Sequence, residues 1–138
     1  MTADDRAYVG LVLVSHSAAV ASAVAELARG LAGGGPTAPL AAAGGTPDGG
    51  LGTSSELIAD AARAVDRGAG VALLVDLGSA VLTVKALLAE GDELPAGARL
   101  VDAPFLEGAV AALVTASAGG DLDAVAAAAS EAYGYRKE

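Results

Sequence analysis

The fold is decided by residues 9–20, which read VGLVLVSHSAAV. The first seven of these form an apolar run of strand length, which is typical of a strand buried on both faces of a parallel sheet. A helix is predicted to follow, with Ser17 as its N-cap. The only histidine of the chain, His16, therefore stands where a buried strand ends and a helix begins. In α/β sheets ligands gather at this edge, because helix N-termini there point free N–H groups outward.

Short apolar runs alternate with alanine-rich helical stretches along the rest of the chain. Strands are predicted over residues 9–15, 37–42, 70–75 and 99–102. Helices are predicted over residues 18–31, 56–67, 80–90, 104 to about 116, and 121–133. This alternation predicts an α/β fold: an open, mostly parallel four-stranded sheet with helices on both faces. We expect one domain over residues 1–138, with frayed ends at 1–7 and 134–138.

Composition and charge argue against several classes of partner and of chemistry. The net charge of −9 argues against nucleic acid and against an anionic membrane surface as partners. The chain has no cysteine, which excludes disulfides, thiolate chemistry and cysteine-based zinc sites. Its beginning lacks the basic region of a signal peptide, and no apolar run has the length of a membrane span. These features favour a cytoplasmic protein.

A carboxylate is expected beside His16. The first and third predicted strands should be neighbours, so Asp76, which follows the third strand, can face the imidazole. A carboxylate that accepts N–H from one ring nitrogen leaves the other nitrogen free as a nucleophile. Together with an anion site, this predicts a phosphohistidine carrier that needs no metal. Phosphoryl-binding donors are then predicted among the hydroxyls of Ser17, Thr46, Thr53 and Ser54.

Other interpretations of these residues stay open. His16 is also explained as a capping or packing residue, and Asp76 as a cap of the helix after it. A hydrolase is disfavoured because no Gly-x-Ser-x-Gly motif is present, and the glycine-rich loop before Thr53 lacks the lysine of a P-loop. A receiver domain would need an acidic pair where Ser15, His16 and Ser17 stand. A histidine phosphatase would need an Arg-His-Gly signature, which is absent.

Four segments together resemble one family. They are VGLVLVSHS at 9–17, GTS at 52–54, LVDLGS at 74–79 and APFLEGA at 103–109. These resemble the mannose-type EIIA domains of the bacterial sugar phosphotransferase system. Among those domains they are most similar to the DhaM family, the phosphotransferase subunits of phosphoenolpyruvate-dependent dihydroxyacetone kinase. The resemblance runs in the same order from about Tyr8 to Tyr133.

The resemblance implies a reaction and its partners. His16 would accept a phosphoryl group from phospho-HPr and pass it to ADP on the kinase subunit DhaL. The ATP formed there would phosphorylate dihydroxyacetone held on the subunit DhaK. Asp76 would match the residue that orients the histidine. The resemblance further implies a homodimer with no cofactor of its own, since ADP and magnesium (Mg) belong to DhaL. Because the sequence ends after the EIIA-like part, a separate HPr is expected as donor.

Two alternatives remain beside the kinase subunit. One is a mannose-type EIIA that serves a sugar permease, and the other is a non-catalytic regulatory module in which His16 senses phosphate or pH. The Leu-Gly-Ser form of the turn after Asp76 favours the kinase partner. The acidic edge predicts docking steered by basic residues of the partner, around a small apolar contact made by Leu77 and Phe105.

Overall fold

The computed structural model describes residues 7–138, which fold around four parallel strands. The strands are β1 (Gly10–Ser15), β2 (Leu40–Gly44), β3 (Val71–Val75) and β4 (Ala98–Leu100), in the spatial order β2-β1-β3-β4. The helices are α1 (Ala18–Leu31), α2 (Ser55–Val65), α3 (Gly78–Glu90), α4 (Phe105–Ser117) and α5 (Leu122–Glu131), and a 3-10 turn follows at Ala132–Gly134. The predicted fold class is confirmed. Apart from residue 7, the predicted fraying of residues 1–7 lies outside the described residues.

Both faces of the sheet are covered by helices. Successive residues of a strand point to opposite faces, so in β1 Leu11 and Leu13 enter one core while Val12 and Val14 enter the other. Helices α1, α4 and α5 close the first core, and α2 and α3 close the second. This two-sided burial explains why the sequence of β1 is an unbroken apolar run. Within residues 7–138, no helix has the length and apolarity needed to span a bilayer.

Small side chains bring α1 close to the sheet. Its buried residues follow helical spacing and are mostly alanine: Ala21, Val24, Ala25 and Ala28. The helix begins as predicted after Ser17, whose Oγ accepts a hydrogen bond from the Val20 N–H at 3.2 Å. The end of β2 lies directly against this start, because a Cβ added at Gly44 would stand 2.3 Å from the Ser17 carbonyl oxygen. The backbone of β2 therefore contacts the backbone at the start of α1, next to His16.

Several boundaries differ from the sequence prediction. Strand β2 begins at Leu40 rather than at residue 37, because proline, which lacks an N–H, interrupts the earlier segment. The carbonyl of Pro39 then accepts from the Leu11 N–H at 2.9 Å, which starts the pairing. Helix α3 begins at Gly78, two residues earlier than predicted. The predicted last helix, residues 121–133, shortens to Leu122–Glu131.

The carboxyl-terminal residues lie outside regular structure after Gly134. They are exposed, and Lys137 Nζ lies 2.7 Å from Glu107 Oε1. Fraying of residues 134–138 stays a prediction.

We expect Gly44→Ala to destabilise the protein by about 1–3 kcal/mol, because its methyl group would overlap the backbone of Ser17. The matched control is Gly30→Ala in α1, where an added Cβ meets nothing within 4 Å. That change should stabilise the helix by up to about 1 kcal/mol. Urea denaturation of both variants measures the difference. Equal stability of the Gly44 variant and the wild type would contradict the close approach.

Candidate functional site

The site lies where the two central strands end. Strands β1 and β3 pair in parallel, and the Asp76 N–H continues their ladder by donating to the Val14 carbonyl at 3.1 Å. This pairing places His16 and Asp76 side by side. Their side chains meet, with His16 Nδ1 2.9 Å from Asp76 Oδ1. The predicted proximity of the two residues is confirmed.

The Asp76 carboxylate accepts four hydrogen bonds. Oδ2 accepts from Ser15 Oγ at 2.8 Å and from the His16 N–H at 3.1 Å. Oδ1 accepts from His16 Nδ1 at 2.9 Å and from the Leu77 N–H at 2.7 Å. Burial by itself would raise the pKa of Asp76, but these hydrogen bonds to the charged form outweigh it, so the pKa of this carboxyl lies below its ordinary value. Asp76 is therefore an ionised acceptor at neutral pH.

An ionised Asp76 decides the tautomer of His16. Because the carboxylate accepts, Nδ1 must carry the proton, and the lone pair of the neutral ring stands on Nε2. Nε2 points away from Asp76 and contacts Ser79 Oγ, which donates to it. The His16 side chain is 24% exposed, so this face of the ring lies near solvent. The arrangement gives a nucleophilic nitrogen at the open edge of the sheet.

Two serines of this site were not predicted as site residues. Ser15 is 1% exposed and, apart from Tyr8, is the only buried residue among residues 7–138 whose side chain carries a polar group. Ser79 lies in the first turn of α3, three residues after Asp76, and contacts Nε2. A polar residue at the end of an apolar strand was the available signal for Ser15. For Ser79 the signal was its place on the helix that follows the carboxylate.

Two of the four predicted phosphoryl-binding hydroxyls are helix caps. Ser17 Oγ caps α1, and Ser54 Oγ accepts from the Leu57 N–H at 3.2 Å to cap α2. Ser54 rather than Ser55 takes this role. Within the described part of the chain, neither hydroxyl bonds to the His16 side chain.

The other two predicted hydroxyls lie in the loop between β2 and α2. Thr46 Oγ1 is held inside the loop, where it donates to the Asp48 carboxylate and accepts from the Gly50 N–H at 3.0 Å. Thr53 Oγ1 lies 2.9 Å from Thr83 Oγ1. Thr83 uses its own proton on the Ser79 carbonyl at 3.2 Å, so Thr53 is the donor to Thr83. Thr53 thus ties the loop to the helical turn that carries Ser79.

This loop also covers the backbone of His16. The Gly52 N–H donates to the His16 carbonyl at 2.9 Å, and the Gly45 N–H donates to the Ser15 carbonyl at 3.1 Å. The glycine-rich loop is therefore attached to the strand end on which His16 stands.

The two predicted docking residues differ in exposure. Leu77 is 63% exposed, so it does not pack beneath α3. Phe105 is half-buried and packs against the first core, which leaves little of its ring for a partner. Leu51, in the loop that contacts His16, is 83% exposed and was not predicted as a docking residue.

A cleft of about 420 Å³ opens beside Asp76, between α3 and the end of β4. Tyr133 stands on its rim and donates from its hydroxyl to the Asp102 carboxylate, a bond that raises the pKa of Tyr133. Lys85, Leu100 at the end of β4, and Val101 directly after it also line the cleft. The cleft therefore adjoins the site, since Asp76 and Leu77 are among the residues that line it.

Comparison with known proteins gives consistent results. The family model described as "PTS system fructose IIA component" (EIIA-man) matches residues 10–126. The phosphoryl donor subunit DhaM of the PEP-dependent dihydroxyacetone kinase of Escherichia coli is 36% identical over 94% of this chain. A second DhaM, from Listeria innocua, is 35% identical over 77% of this chain and 84% of that protein. The chain spans only 28% of the length of the Escherichia coli protein.

Solved structures agree on the fold. The crystal structure of a protein of unknown function superposes with a TM-score of 0.79 at 30% identity, covering 95% of this chain and 98% of the other. A sigma-54 interaction domain protein from Enterococcus faecalis superposes with a TM-score of 0.60 at 21% identity, covering 86% and 85%. The second likeness concerns the fold alone.

The lowered pKa of Asp76 predicts a pH-dependent stability. A carboxyl whose pKa is lowered by folding contributes stability that is present above its unfolded pKa and is lost as pH falls through its folded pKa. The difference in unfolding free energy between wild type and Asp76→Asn should therefore shrink as pH falls from 7 to below about 4. Denaturation at several pH values measures it, with Asp60→Asn, at an exposed carboxylate, as control. A difference independent of pH would contradict the ionised acceptor.

Proposed function

The chain belongs to the EIIA-man family, and from that premise we propose that it is the phosphoryl donor subunit of a PEP-dependent dihydroxyacetone kinase, with His16 as the carrier. The observation that carries this proposal is the 2.9 Å contact between His16 Nδ1 and Asp76 Oδ1, which leaves Nε2 as the nucleophile. The DhaM relatives are named as phosphoryl donor subunits of PEP-dependent dihydroxyacetone kinases, which supports such a kinase as the system to which this chain donates. A sugar permease is the alternative acceptor.

Loading and unloading are each a single displacement at phosphorus. In loading, the bond between phosphorus and a nitrogen of the donor phosphohistidine breaks while a bond from His16 Nε2 forms. In unloading, the Nε2–phosphorus bond breaks while an oxygen of the acceptor attacks. Nδ1 keeps its proton throughout, and the Asp76 carboxylate stabilises the positive charge of the ring when Nε2 is substituted.

Ser79 has two roles in this scheme. Its hydroxyl contacts Nε2 in the free site, so it must release that nitrogen before phosphorus can approach. The same hydroxyl then donates to a phosphoryl oxygen. The first N–H groups of α3 have no intrahelical acceptor and point toward the same edge, where they favour an anion.

Thr53 supports Ser79 through Thr83 and belongs to the proposed phosphoryl-binding group through that link. The proton of Thr46 is engaged by Asp48, whereas the capping hydroxyls of Ser17 and Ser54 only accept and keep a proton to donate to a phosphoryl oxygen. Ser79, which contacts Nε2, is therefore the hydroxyl that we place closest to the transferred group.

The proposed partners are HPr as donor and the DhaL and DhaK subunits as the receiving kinase. ADP and magnesium would be held by DhaL, and this chain would supply only the phosphohistidine. A homodimer is also proposed, because the outer edges of β2 and β4 are unpaired within residues 7–138 and a second copy would cover one of them.

We expect incubation with phosphoenolpyruvate, enzyme I and HPr to add one phosphoryl mass to the intact protein. The added group should be lost in acid and retained in base, as expected of a phosphohistidine. His16→Ala should show no mass gain, since it removes the only imidazole. A gain that persists in His16→Ala, or that survives acid, would sink the proposal. Supplying DhaL with ADP, or a permease component, as acceptor then separates the kinase from the permease.

Docking should be steered by charge and anchored by Leu77. The net charge of −9 predicts attraction to basic residues of HPr, so loading should slow between low salt and roughly 0.5 M, where the Debye length is about 4 Å. Leu77→Asp should slow loading without lowering the melting temperature, because Leu77 is exposed and aspartate is a favourable residue at its N-cap position.

The matched control is Leu31→Asp, an exposed leucine at the far end of α1. It should load at the wild-type rate. Equal rates for the two variants, together with a salt-independent wild-type rate, would refute this docking surface.

A further inference from the structure

Ser15 lies one residue before His16 and does not touch the imidazole side chain. We propose that Ser15 is a positioning residue for phosphoryl transfer, whose hydroxyl fixes the Asp76 carboxylate in the orientation that keeps the lone pair of His16 on Nε2. This inference rests on the proposed function, and it adds to that function a residue with no direct contact to the transferred group.

The hydroxyl of Ser15 is fixed on both sides. Ser15 Oγ accepts from the Ser17 N–H at 3.1 Å and donates to Asp76 Oδ2 at 2.8 Å. Because the backbone N–H of Ser17 occupies a lone pair of the oxygen, the hydroxyl proton is directed to the carboxylate. The start of α1 thereby sets the direction of the bond that reaches Asp76.

The carboxylate needs this bond to keep its orientation. Oδ1 is held by the imidazole and by the Leu77 N–H, while Oδ2 is held by Ser15 and by the His16 N–H. The Ser15 hydroxyl is the one side-chain donor in this set besides the imidazole itself. Without it, Oδ2 keeps only the longer bond from His16 N, at 3.1 Å, and the carboxylate is freer to turn away from Nδ1.

The burial of Ser15 is a second argument. The side chain is 1% exposed, and the residues before it in β1 are apolar. A buried hydroxyl costs free energy unless its hydrogen bonds are made, whereas alanine would fill a similar volume without that cost. The hydrogen bond that the Ser15 hydroxyl donates to Asp76 therefore explains why a polar residue stands at the end of this apolar strand.

The test compares Ser15→Ala with Ser117→Ala. Ser117 Oγ also accepts a backbone N–H, from Ala38 at 2.9 Å, but it lies at the end of α4 away from His16. We expect Ser15→Ala to slow single-turnover loading from phospho-HPr by about tenfold, the effect of one orienting hydrogen bond to a charged group. Ser117→Ala should load at the wild-type rate.

Nuclear magnetic resonance supplies a readout that does not require transfer. In wild type, ¹⁵N spectra of the His16 ring should show the proton on Nδ1, and ¹³C titration should give the pKa of the Asp76 carboxyl. In Ser15→Ala the ring should become a mixture of tautomers and the Asp76 pKa should rise toward its ordinary value. Ser15→Cys, whose thiol is a weaker donor, should fall between the two, and it decides the question if the alanine variant does not fold.

Wild-type loading together with unchanged ring and carboxyl signals in the Ser15 variants would overturn the inference. If wild type itself is never phosphorylated, the proposed function fails, and the tautomer and the Asp76 pKa still decide whether Ser15 positions the carboxylate. Slow loading with unchanged signals would also count against it, because the loss would then come from somewhere other than Asp76.

Discussion

The structure depends on one ionised group, the carboxylate of Asp76, placed between the ends of two adjacent strands. It accepts hydrogen bonds from the backbone and side chain of His16, which follows β1, and from the backbone N–H of Leu77, which precedes α3. The same group fixes the ring tautomer and links the two central strands. Its charge is maintained because the hydrogen bonds it accepts outweigh the effect of burial.

Much of the fold could be predicted because its signals are local. The apolar run of β1 and the capping serine before α1 lie within a few residues of each other, and α1 was predicted with its observed bounds. The prediction of strand β2 was less accurate, since alanine-rich segments lack a clear strand pattern and proline shifts the start of the strand to Leu40. The start of α3 was predicted two residues too late, because its N-cap residue, Leu77, makes no side-chain capping hydrogen bond and so gives no capping signal in the sequence.

The site was predictable at its centre and less so around it. His16 and Asp76 follow adjacent strands, so topology alone brings them together. Which hydroxyls surround them depends on rotamers and on competing local partners. Thr46 illustrates this, because Asp48 two residues later engages its hydroxyl. Ser79 contacts Nε2 from the first turn of α3, and its sequence position indicates that it lies near Asp76 but not which atom its hydroxyl contacts.

The four hydrogen bonds that the Asp76 carboxylate accepts have a consequence for the proposed phosphoryl transfer. Both oxygens are fully engaged by donors from the main chain, a serine and the imidazole, so the carboxylate has no other arrangement to relax into when the ring changes charge. Reorganisation is then small in either direction, so a preorganised carboxylate would lower the barriers to loading and to unloading alike. In the proposed function, the direction of phosphoryl transfer would then be set by the phosphoryl potentials of the donor and acceptor molecules.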